Sequence, residues 1–122
     1  MLEFSPLNKT WIFDIDGSIV KHNGYKIDGY DSLLEGVSEF FSKISQEDKI
    51  IMLTARKGEV LENLKAFFKE NHIRFDYILT DMPLGERILI NDEKPSGLKT
   101  AFAINKKRDS ALNIAYKINE SL

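Results

Sequence analysis

Residues 11–20 read WIFDIDGSIV: an apolar run, then Asp14 and Asp16 one residue apart, then Gly17. A short continuous run rich in isoleucine and aromatics suits a strand buried on both faces. Aspartates at i and i+2 of such a strand project to the same face and repel each other. The pair therefore belongs at a strand end, where something positive compensates it. Working outward, KIIMLT (49–54) is a second run of the same kind. Between the two, SLLEGVSEFFSKI (32–44) sets Leu33, Leu34, Val37, Phe40, Phe41 and Ile44 at helical spacing. KGEVLENLKAFFKENHI (57–73) repeats that pattern through Val60, Leu61, Leu64, Phe67 and Phe68, with Asn71 and His72 as its end. FDYILT (75–80) and RILIND (87–92) read as two further strands, separated by the turn-like DMPLGE (81–86). KTAFAIN (99–105) reads as a fifth strand or as the start of a helix, and DSALNIAYKINESL (109–122) as a C-terminal helix capped by Asp109 or Ser110.

Strands alternating with helices at this spacing predict right-handed βαβ units and an α/β fold whose parallel sheet carries helices on both faces. In such sheets ligands bind at the carboxyl ends of the strands. Those ends are where the polar residues gather: DIDGS after the first run, TAR after the second, NDEKP after the fourth. The long connection GSIVKHNGYKIDGYD (17–31) is irregular, and a long loop in a compact domain is often functional.

The chain has 122 residues, enough for one domain of ordinary size. Its 17 basic and 19 acidic side chains are interspersed, so no broad basic face for nucleic acid is expected. With no cysteine there is neither a disulfide framework nor a thiolate metal site. The apolar runs are too short to span a bilayer, and the first residues lack the basic and apolar segments of a signal peptide, so a cytoplasmic location is expected.

If the first, second and fourth strand ends converge, Asp14, Asp16, Thr54, Asn91 and Asp92 share one small space. An oxygen-only set of that charge favours a hard cation such as Mg²⁺, which takes further ligands from a substrate phosphate. A carboxylate also serves as a nucleophile toward phosphorus. The D-x-D-G spacing also opens a calcium-binding EF-hand loop, but the twelfth position from Asp14 is Tyr25 rather than glutamate and the flank is strand-like.

These residues resemble the haloacid dehalogenase superfamily of phosphohydrolases. Its first motif, a hydrophobic strand followed by D-x-D-G and a small residue, matches Asp14-Ile15-Asp16-Gly17-Ser18, with serine where threonine is usual. Its second, a strand ending in serine or threonine, matches IIMLTAR at Thr54, and its fourth, a strand ending in acidic residues, matches ILIND at Asp92. Within the superfamily, GERILINDEKPSG and TAR look like small phosphatase-like proteins associated with bacterial capsule or surface-polysaccharide biosynthesis. The resemblance implies a three-layer, Rossmann-like sheet of about five strands forming a single domain over residues 1–122.

By that resemblance Asp14 is the nucleophile and Asp16 the general acid and base. Asp14 and Asp92 hold Mg²⁺ through their side chains and Asp16 through its backbone carbonyl, while Thr54 hydrogen-bonds the transferring phosphoryl group. Gly17, Ala55 and Arg56 are the expected substrate contacts. The third motif, a lysine or arginine beside the nucleophile, is not matched in place, because TDMPLGER carries Met82 where relatives often have lysine. Lys94 is preferred over Arg87 because Arg87 should enter its strand at the end remote from the catalytic loops. The gaps between motifs hold no cap domain. A capless member acts on a large or exposed phosphate, or oligomerises so that a second subunit completes the site. The implied activity is a Mg²⁺-dependent phosphomonoesterase acting on a small phosphorylated substrate, a sugar phosphate or polysaccharide precursor. The alternative is a catalytically weak binding or regulatory module that keeps the fold.

Overall fold

A computed structural model describes all of residues 1–122. In chain order the elements are β1 (Leu2–Phe4), β2 (Thr10–Asp14), α1 (Gly24–Ile27), α2 (Val37–Ser42), β3 (Lys49–Leu53), α3 (Glu59–Glu70), β4 (Tyr77–Leu79) and β5 (Tyr116–Ile118). The strands form two parallel sheets, one in the order β2-β3-β4 and the other pairing β1 with β5.

The two apolar runs thus become adjacent strands, with Trp11 opposite Ile50, Phe13 opposite Met52 and Asp14 opposite Leu53. Paired residues of a parallel ladder share a face. Trp11 and Phe13 therefore lie with Ile50, Met52 and Ile78, and this face packs on α2 through Phe40 and Phe41. The crossovers β2-α2-β3 and β3-α3-β4 step the same way across the sheet, so right-handed connections put both helices on that face. Leu64 and Phe68 of α3 accordingly join the cluster of 13 buried residues that also holds Ile15, Ile19, Val37 and Met52. The opposite face, with Ile12, Tyr77 and Leu79, remains largely open, in contrast to the helices expected on both faces.

The second half of the chain departs from the sequence expectations. RILIND is not a strand: Ile88 and Ile90 are 84% and 92% exposed, and no ladder includes the segment. KTAFAIN is neither strand nor helix, and the expected C-terminal helix is replaced by an extended segment ending in β5. The reason for the second change is visible in ALNIAYKI. Leu112, Ile114 and Tyr116 alternate with exposed Asn113, Ala115 and Lys117, a two-residue period that places Leu112 in the core and the other two against it. Asp109, expected as the helix cap, instead accepts a hydrogen bond from the His22 backbone N–H through Oδ1 at 2.8 Å.

Gly36 makes room for this segment. Its φ is +83°, and a Cβ there would lie 2.5 Å from the Leu112 carbonyl oxygen. The same conformation begins α2 at Val37, four residues later than the Leu33 and Leu34 spacing predicts.

Candidate functional site

The candidate site lies at the carboxyl ends of β2 and β3. β2 ends at Asp14 and the chain turns at once: the amides of Ser18, Ile19 and Val20 all donate to the Ile15 carbonyl, and Gly17 N–H donates to Val20 O at 2.8 Å. Gly17 takes φ +85° and is buried, which L residues adopt only under strain. The turn leaves Asp14 exposed at the strand end and brings Asp16 to Arg56, just past the end of β3.

Because Asp14 lies opposite Leu53, the next residue along β3, Thr54, stands beside the start of this turn. Thr54 is 2% exposed; its N–H donates to Leu79 O at 3.0 Å and its Oγ1 accepts the Arg56 N–H at 3.0 Å. The exposed Ala55 follows it.

Asp14 has one cation at hand, Arg87 Nη2 at 3.7 Å from Oδ1. Partial burial pushes the Asp14 carboxyl above its ordinary range, and the Arg87 charge opposes that shift. The preference for Lys94 over Arg87 is thereby corrected. It assumed that residues 87–92 form a strand whose start faces away from the site; the segment is not a strand, and Arg87 is free to approach Asp14. Lys94 is exposed and, with Asp14, Ser18, Asn91 and Lys106, lines a cavity of about 660 Å³.

Arg56, expected to contact substrate, turns inward. Its side chain is 3% exposed and bridges two carboxylates. Nε and Nη2 donate to Asp16 at 3.2 and 2.7 Å, while Nη1 and Nη2 donate to Asp31 at 3.0 and 2.8 Å. The Tyr25 ring lies against the guanidinium, 4.0 Å from centroid to Cζ. Burial disfavours the charged guanidinium, but the bonds to Asp31 and Asp16 outweigh it and hold its pKa above the ordinary arginine value. Asp31 went unnoticed in the sequence because it belongs to no motif, and Tyr25 reads there as a loop aromatic that could gate the site rather than as a cover for Arg56. The available signal was the aspartate-rich irregular loop itself, which needs a buried cation if any of its acids folds inward.

The acids do not converge as a trio. No three His, Asp or Glu side chains are grouped to hold a metal ion, and Asp92 lies on the exposed segment 91–97. The end of the fourth run does share a cavity with Asp14, through Asn91. The remaining donors still suit Mg²⁺, which commonly uses one or two protein carboxylates and completes its shell with water and phosphate oxygens. Asp14 offers an exposed carboxylate, and no hydrogen bond within the chain ends on the neighbouring Asp16 carbonyl oxygen.

The arrangement therefore presents an accessible carboxylate with an arginine beside it, and a second carboxylate fixed in orientation two residues on. No known protein family, curated protein or solved structure matches the chain.

Proposed function

We propose that the protein is a phosphohydrolase of the haloacid dehalogenase type, acting on phosphate monoesters through an aspartyl-phosphate. The observation that carries this reading is the pair Asp14 and Asp16 on one tight turn, with Asp14 open to a ligand and Asp16 held by Arg56. The two carboxylates thereby occupy different environments: Asp14 is open to attack a ligand, and Asp16 is held in one orientation two residues on.

In the proposed reaction an Asp14 carboxylate oxygen attacks phosphorus as the bond to the ester oxygen breaks. Asp16 gives its proton to that departing oxygen, then takes one from the water that attacks phosphorus and frees Asp14. Arg87 compensates charge on the phosphoryl oxygens, and Thr54 steadies the turn that faces them. Mg²⁺, when bound by the Asp14 carboxylate and the Asp16 carbonyl, would neutralise charge on the substrate phosphate.

The lack of a cap supports an exposed phosphate on a sugar or polysaccharide precursor, or closure of the site by a second copy. The cytoplasm suits such a substrate, and no helix is long and apolar enough to cross a membrane. The absence of a cluster of three acids favours the second reading, a binding or regulatory module with weak turnover. A panel of sugar phosphates and nucleotides, assayed with and without Mg²⁺, separates the two. The phosphatase reading expects Mg²⁺-dependent phosphate release; binding of Mg²⁺ with no release across the panel would leave the binding module.

A further inference from the structure

We infer that Asp31, together with Tyr25, is a positioning residue that acts through Arg56 to orient Asp16 for proton transfer; the inference rests on the phosphatase reading above. Four guanidinium bonds are made to the two acids, two to each, out of the five N–H groups an arginine has. The carboxylates sit on adjoining edges of one plane. Fixing Asp31 on one edge fixes the direction in which the other edge meets Asp16.

The burial pattern distinguishes the roles of the two acids. The Asp31 side chain is 5% exposed and the Asp16 side chain 22% exposed, so the first is an anchor and the second still reaches the open side of the turn. Each Asp16 oxygen keeps a further lone-pair site beyond its bond to Arg56. The plane is held from its face as well, because Tyr25 stacks on the guanidinium. Tyr25, in α1, and Asp31 both come from the 17–31 connection, which is itself tied down by the Val20–Leu33 bridge and the hydrogen bond from Lys21 N–H to Ser32 O at 3.1 Å. The loop behind the catalytic turn thus supplies a rigid seat for Asp16.

A buried ion pair of this kind is a poor source of stability compared with apolar packing of the same volume. Precise orientation of an acid is a use that apolar residues cannot serve.

The test compares two esters in one enzyme preparation. A simple alkyl phosphate needs a proton on its leaving oxygen, whereas p-nitrophenyl phosphate releases a stable anion without one. For Asp31→Asn and, separately, Arg56→Lys, the ratio of kcat on the alkyl ester to kcat on the nitrophenyl ester should fall by about tenfold relative to wild type. Partial unfolding lowers both rates together and leaves the ratio alone. Thermal unfolding midpoints recorded on the same samples show how much structure each variant has lost. An unchanged ratio in both variants, with wild type active, overturns the positioning role while leaving the phosphatase reading intact. Wild type inactive on both esters overturns the phosphatase reading and this inference with it.

Discussion

Removing Arg56 should cost far more stability than removing its inner partner. In Arg56→Met the Asp31 carboxyl, 5% exposed, loses both of its bonds and has no other cation in contact. Breaking a buried pair from one side costs about 3–5 kcal/mol, because a desolvated charge is left without compensation. In Asp31→Asn the amide oxygen still accepts from Arg56, and Arg56 keeps Asp16 and the Tyr25 ring. The expected cost there is about 1–3 kcal/mol, the price of one imperfectly satisfied polar group. Against a total of about 5–15 kcal/mol for a domain of this size, the first change takes a large share and the second a modest one. Urea unfolding followed by fluorescence of Trp11, the only tryptophan, measures both. The double variant Arg56→Met/Asp31→Leu should recover part of the loss, since it removes the stranded charge. Equal costs for the two single variants, or a double variant that is worse than Arg56→Met, would refute the reasoning.

Ile90→Lys should change stability by no more than about 0.5 kcal/mol, because the side chain is 92% exposed; a loss of several kcal/mol in urea unfolding would mean that residues 87–92 are a core strand after all. Gly36→Ala should cost more than about 1 kcal/mol, since it combines φ +83° with a Cβ 2.5 Å from Leu112 O, and a thermal midpoint equal to wild type would contradict that close approach. Burial, aided by the Asp48 charge, raises the Tyr116 pKa above 10.0. The unfolded chain therefore ionises first as pH rises, and the stabilisation present below pH 10.0 is lost through the folded value. Tyr116→Phe should flatten this alkaline decline in urea midpoints, and an unaltered decline would assign it to other groups.

Between β2 and β4 the fold was legible, apart from the short α1, because each main element carries one dominant signal. β2 and β3 are unbroken apolar runs ending in Asp14 and Thr54, and α3 keeps Leu61, Leu64 and Phe68 on one stripe from end to end. The remainder was ambiguous at the level of period. Leu112, Ile114 and Tyr116 fit a strand at spacing two, yet the same stretch contains enough good helix formers to read as a helix. β1 is only three residues long and exists by pairing with β5, more than a hundred residues away, which no local pattern announces. RILIND shows the converse: strong local β-propensity with no ladder formed.

At the site, motif spacing located Asp14, Asp16, Gly17 and Thr54 on neighbouring strand ends. It did not foresee that Arg56 would fold under Asp16, because inward or outward direction of a long side chain depends on what the loop opposite supplies, here Asp31 and Tyr25. Nor did it choose the cation that stands beside Asp14 in the structure. That choice rested on a predicted strand, and once the strand is absent the ordering of Arg87 and Lys94 reverses.

Asp14 acting as the nucleophile is the central step of the proposed reaction. The most direct measurement is acid quenching of the wild type and Asp14→Asn during turnover of a phosphate ester with Mg²⁺, followed by peptide mass mapping. A phosphoryl group on the peptide carrying Asp14, with both adduct and phosphate release lost in Asp14→Asn, is the predicted result. Turnover that continues in Asp14→Asn, or a wild type that neither releases phosphate nor carries the adduct, would contradict it.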